Sequence, residues 1–139
     1  MQQTRVILYH KQSTSARTRF LRFAYNSVCA FQPLPKLAVL MDEEEFPLVA
    51  VHPAAAIRAA EQQLGLAGGG LEAEGEFNMR VDIAGGPVSI LLARFTSIDP
   101  PFALAETLPA SFIDLTEARD LPQVELELLR KAYELILGG

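Results

Sequence analysis

Residues 71 to 95 read LEAEGEFNMRVDIAGGPVSILLARF, two runs of β-branched and apolar residues on either side of Ala84-Gly85-Gly86-Pro87. Glycine and proline punctuate the middle, so Leu71 to Ile83 and Val88 to Phe95 are expected as the arms of a long antiparallel hairpin. Glu72, Glu74, Glu76 and Asp82 fall at even spacing on the first arm. Side chains alternate along a strand, so these four are expected to share one solvent face. The competing reading of the same carboxylates is a site for a cation or a substrate amine.

Working outward from the hairpin, the glycines at 68 to 70 form a turn. Before it, Pro53 suits a first helical position, Ala54 to Leu64 is rich in alanine, and Gly65 with Leu66 makes a C-terminal cap. Lys36 to Met41 and Pro47 to Val51 are short apolar runs separated by Asp42-Glu43-Glu44-Glu45, expected as a second hairpin whose acidic tip stays in water. On the far side, Asp99-Pro100-Pro101 opens a short helix through about Leu108. Phe112 to Leu115 is a strand, and Thr116 to Asp120 a single turn. Pro122 starts a closing helix to about Leu137, with Val124, Leu128, Leu129, Ala132, Tyr133, Leu135 and Ile136 on one broad apolar face.

At the N-terminus, Thr4 to Tyr9 (TRVILY) is a strand and His10 to Ser15 a polar loop. Ser13, Thr14 or Ser15 then caps a helix whose apolar residues Phe20, Phe23, Ala24, Val28 and Phe31 recur at helical spacing and which ends before Pro33. The fold class expected is α+β, a mixed, largely antiparallel sheet packed by about three helices, in a single domain over residues 1 to 139. Half the residues are apolar and 21% are charged, the balance of a packed globular chain. No apolar run approaches the roughly 20 residues of a bilayer span, and the first residues lack the pattern of a signal peptide, so a cytoplasmic location is expected. The lone cysteine, Cys29, sits among apolar neighbours and is expected as a small core residue.

Residues 1 to 36 carry six cations and no carboxylate, +6, whereas the remainder carries all 17 carboxylates and nets −11, within an overall charge of −5. Lys11, Ser13, Thr14, Ser15, Arg17, Arg19 and Arg22 surround the expected start of the first helix. Free N–H groups and the positive dipole end would favour an anion there, so these seven are the candidate ligand-binding residues. The alternative is that Asp42 to Glu45, or the acidic hairpin, pairs with these cations. Net negative charge argues against broad binding to nucleic acid.

Catalytic motifs are lacking. Two separate histidines, His10 and His52, and one cysteine do not make a zinc set, and the glycine pairs lack the spacing of nucleotide-binding loops. No metal or other cofactor is expected.

Residues 53 to 66, PAAAIRAAEQQLGL, resemble the helical part of a Nudix hydrolase box, with Arg58, Gly65 and Leu66 in register. LEAEGEFNMRVDIAGGPVSILLARF resembles the strand pair that follows the box, and FIDLTEARDLPQVELELLRKAYELIL the closing segment and helix, so the likeness spans about residues 44 to 137. It implies a Nudix-like sandwich. In that family the box glutamates hold magnesium and help activate the water that attacks a diphosphate. The matching positions here are Ala59, Gln62 and Gln63, with Glu44 and Ala50 at the upstream Gly and Glu. A neutral amide is a poor substitute for carboxylate on a hard divalent cation, so the resemblance implies a member silent by the family mechanism.

Three functions follow as expectations. The first is a non-catalytic binding module for a phosphate-bearing ligand or an acidic protein partner. The second is a Nudix-like phosphohydrolase with divergent metal ligands among Glu72, Glu74, Glu76 and Asp82. The third is a homodimeric structural domain that buries a strand edge or the C-terminal helix against its copy.

Overall fold

The computed structural model describes residues 3–41 and 53–138. In chain order they form β1 (Gln3–Lys11), β2 (Thr18–Phe23), β3 (Cys29–Ala30), β4 (Val39–Leu40), α1 (Pro53–Leu64), β5 (Leu71–Ala73), β6 (Met79–Ile83), β7 (Gly86–Phe95), α2 (Phe102–Thr107), β8 (Ala110–Ile113), a single 3-10 turn at Leu115–Glu117 and α3 (Gln123–Gly138). The acidic turn at 42 to 45, the run from 47 to 51 and His52 lie outside the described residues.

The strands make one sheet in the order β4-β6-β7-β1-β2-β8, with β3 also paired to β1 and β5 to β7. β1 runs parallel to β7, from Gln3 opposite Val88 to Tyr9 opposite Arg94, and the other pairings are antiparallel. The sheet is therefore mixed and largely antiparallel, as expected. Alternation along its central strands divides the core in two. Ile7, Tyr9, Val88, Ile90 and Leu92 face α3, which contributes Val124, Leu128, Leu129, Ala132 and Ile136. Val6, Leu8, Leu91, Ala93 and Phe95 face the other side, where α1 supplies Ile57, Ala60 and Leu64 and α2 supplies Ala105. The result is an α+β sandwich of helix, sheet and helix. No helix among the described residues is long and apolar enough to cross a membrane.

The expected helix from residue 15 to 31 does not form. Thr18 to Phe23 is instead β2, antiparallel to β1 with Tyr9 opposite Phe20 and Lys11 opposite Thr18. A six-residue loop joins the two strands, closed by Ala16 N–H to Gln12 O at 2.7 Å and Gln12 N–H to Arg17 O at 3.0 Å. The apolar spacing misleads because β2 lies between β1 and β8 and is buried on both faces. Phe20 packs toward α3 while Leu21 and Phe23 pack toward α1 and α2, which erases the alternation of a half-wet strand. Phe23 to Ser27 then forms a tight turn around Asn26, whose φ of 56° suits asparagine better than most side chains. Cys29 is buried on β3, and burial pushes its thiol pKa well above the usual range.

The hairpin at 71 to 95 forms with one departure. β5 and β6 both pair with β7, but between Ala73 opposite Ala93 and Met79 opposite Ile90 six residues of one arm span three of the other. An odd slip exchanges the two faces. Glu72 consequently shares its face with Arg94 on the α3 side, whereas Asp82, opposite Pro87, lies on the other, and the four carboxylates do not share a face. α1 matches its expected bounds. Gly65, at φ 73°, closes it by donating to Gln62 O at 3.1 Å while Leu66 N–H reaches Glu61 O at 2.8 Å, the paired bonds of a Schellman cap. The apolar face of α3 is consumed in covering the sheet and is not free to bury against a second copy.

Glu125, in the first turn of α3 and 1% exposed, accepts Ser27 Oγ–H at 2.8 Å and Val28 N–H at 2.8 Å. It thereby ties the turn after β2 to the helix. Burial raises its pKa above the usual glutamate range, against the opposing effect of the two hydrogen bonds. A raised acid binds its proton more readily when folded. Its contribution is full below the ordinary glutamate pKa of about 4.3 and is lost as pH rises through the folded value. Urea denaturation of the wild type and Glu125→Gln across that range should show the wild type's relative stability falling as pH rises; the opposite slope refutes the assignment. Glu125→Ala, which strands both donors, should cost about 3 kcal/mol.

Candidate functional site

The box-like segment is α1, and the cleft between it and the sheet has a volume of about 240 Å³. Ala59 and Gln63 line it together with Val6, Ala30, Phe31 and Ala60. Gln62 and Arg58 point to solvent from the same helix. Glu61, the acid of this stretch, is buried and turned away to cap the following turn, accepting Gly69 N–H at 2.9 Å and Leu71 N–H at 3.1 Å. The donor set on α1 does not fit magnesium, since the positions that would hold it carry a methyl group and two amides. The upstream positions Glu44 and Ala50 lie outside the described residues.

The other carboxylates have separate duties. Glu72 pairs with Arg94 at 3.1 Å, and Glu74 accepts the Tyr9 hydroxyl at 2.6 Å. Tyr9 is buried, and with Glu74 as its acceptor its pKa is raised by burial first and by that hydrogen bond second. No three histidine, cysteine, aspartate or glutamate side chains converge among the described residues.

The seven residues singled out in the sequence do not surround a helix end, because no helix begins there. Ser13, Thr14 and Ser15 occupy the exposed loop between β1 and β2. Lys11 donates to the Ile136 carbonyl at 3.4 Å, near the C-terminal end of α3, where a cation suits the dipole. Arg17 reaches Asp114 at 3.8 Å with 54% of its side chain exposed. Arg19 donates to Gln12 Oε1 at 3.2 Å and lies over the Phe102 ring at 5.8 Å. The partners of Arg17, Arg19 and Lys11 thus come from Asp114, Gln12 and the α3 carbonyl end, and the hairpin acids Glu72 to Asp82 supply none of them among the described residues. β2 also separates the cations, since Arg19 and Arg22 project to opposite faces.

Arg22 differs from the rest. It is half-buried, and no hydrogen bond or ion pair engages its guanidinium among the described residues. Its position opposite Ser111 on β8 puts both side chains on one face of the sheet. They line a cavity of about 470 Å³ with Asn26 from the turn, Pro109 and Asp120. Asn26 donates to the Asp120 carbonyl at 2.9 Å, which ties the turn after β2 to the segment before α3. Ser111, Asn26 and Asp120 were not legible as site residues, because strand pairing and the turn bring them together across about 90 residues of sequence.

Neither protein-family models nor curated protein sequences match the chain. Among solved structures it is similar to the crystal structure of a C. elegans Ap4A hydrolase, at 17% identity and a TM-score of 0.54, over 98% of this chain and 99% of that one. The likeness is one of fold, and the fold is Nudix-like.

Because the Arg17–Asp114 pair is exposed and loosely spaced, Arg17→Ala should change unfolding free energy by no more than about 0.5 kcal/mol in urea titration. A loss several times larger would make the basic loop a structural ion-pair network.

Proposed function

We propose that this chain is a Nudix-like binding module for a small anionic, phosphate-bearing ligand, seated in the cavity at Arg22. One observation carries the reading: a half-buried guanidinium lines a cavity with no acid or carbonyl engaging it among the described residues. Partial burial strips water from a cation, and an oxyanion restores the lost hydrogen bonds in a planar, two-pronged fit. Ser111 presents a hydroxyl on the same face to a second oxygen. The remaining candidates serve the fold or the loop. Ala59, Gln62 and Gln63 support binding rather than turnover. An acidic protein side chain would satisfy the same guanidinium, and self-association would fall to the β4 edge, where Leu37 and Val39 are exposed.

Titration with inorganic phosphate, followed by amide chemical shifts, should move resonances of Arg22, Ser111 and Asn26. Arg22→Gln should weaken binding at least about tenfold, the value of one charge-assisted contact, while Arg17→Ala leaves it unchanged. Shifts confined to residues 11 to 19 would sink the assignment.

The second reading, a phosphohydrolase, is favoured by the likeness to the Ap4A hydrolase. Glu72 and Asp82, on opposite faces, do not serve it together. Glu74 is already engaged by the Tyr9 hydroxyl. Incubation with dinucleoside tetraphosphates and magnesium should give no nucleotide release; magnesium-dependent turnover would replace the binding module with an enzyme.

A further inference from the structure

Resting on the anion seat at Arg22, we infer that the ligand is a compact zwitterion, an oxyanion joined to an ammonium group, with Asp120 receiving the ammonium. Arg22 and Asp120, of opposite charge, both line the cavity, and they do not pair with each other. Each is anchored separately. Arg22 is held in the ladder opposite Ser111, while Asp120 is held through its main chain, by Asn26 at its carbonyl and by the neighbouring Leu121 N–H bond to Ala118. The Asp120 carboxylate is thus left exposed and without a hydrogen bond among the described residues.

This arrangement discriminates by charge. A simple anion gains from Arg22 and is repelled by Asp120 across the same space, so the two effects partly cancel. A simple cation meets the reverse. A molecule with both signs gains at each end. Ser111 adds a donor for the oxyanion, and the second N–H of the Asn26 amide, one of which is spent on Asp120 O, remains for the same oxygen set. Pro109 and Ala110 offer hydrocarbon for a short linker between the two charged ends. A volume of about 470 Å³ accommodates a ligand of amino-acid or phosphoamine size.

The test compares O-phosphoethanolamine, β-alanine, inorganic phosphate and ethanolamine by amide-shift titration of the full chain. O-Phosphoethanolamine should bind at least about fivefold more tightly than phosphate, and ethanolamine should not bind measurably. β-Alanine binding equally well would identify a carboxylate as the oxyanion, and weaker binding a phosphate. Asp120→Asn should abolish the preference over phosphate without weakening phosphate itself. The substitution leaves the main-chain bond to Asn26 in place, and an unchanged melting temperature verifies the fold. Phosphate binding through Arg22 with no preference for the phosphoamine, or a preference that survives Asp120→Asn, overturns this inference and leaves the anion seat standing. Absence of binding by every probe overturns both.

Discussion

Everything in this fold hangs on the parallel pairing of β1 with β7, seven residue pairs long, which sets the first strand of the chain beside one near its middle. Two neighbouring strands that are apolar on both faces must be covered on both faces, since each exposed face would leave β-branched and aromatic surface in water. That requirement explains why α1 and α3 lie on opposite sides. It also explains why β2, next in the sheet, is forced to carry phenylalanine and leucine on alternate faces while its arginines leave at the margins.

The helices on the two faces are fastened by the same device. Glu61 on α1 and Glu125 on α3 are both buried, and each accepts two donors from a loop that leads into a strand. An acid in such a place is expensive to desolvate, and the hydrogen bonds offset that cost only while both donors are present. Each therefore couples a helix to a particular loop conformation. Part of the chain's acidic character is thus spent inside the sandwich, and net charge alone says little about its surface.

The elements legible in the sequence were those with local signals. Alanine content with Pro53 and Gly65 defined α1, Pro122 and a wide apolar face defined α3, and glycine with proline defined the β6–β7 turn. The expected α+β class followed from these, and the Nudix-like expectation from the resemblance of residues 53 to 66 and the segments after them to that family. What failed had non-local causes. Phe20, Phe23 and Phe31 fit a helical period by coincidence, because burial of β2 on both faces depends on β1 and β8 and on neither its own spacing nor its caps. The face of Asp82 depended on a three-residue slip between β5 and β6, which a count of even positions passes over. Arg22 was among the residues singled out, but for a reason that does not hold.

That change of reason alters the chemistry. Cations gathered at a helix N-terminus would act together with free N–H groups as one diffuse anion trap, tolerant of ligand shape. On a strand, successive side chains diverge, so Arg19 stacks on Phe102 on one face while Arg22 faces its cavity on the other. What remains is a single arginine, a serine opposite it in the ladder and an aspartate lining the same cavity. On the proposed reading, attraction at such a site is short in range, and it would select by the ligand's internal arrangement of charge rather than by its total.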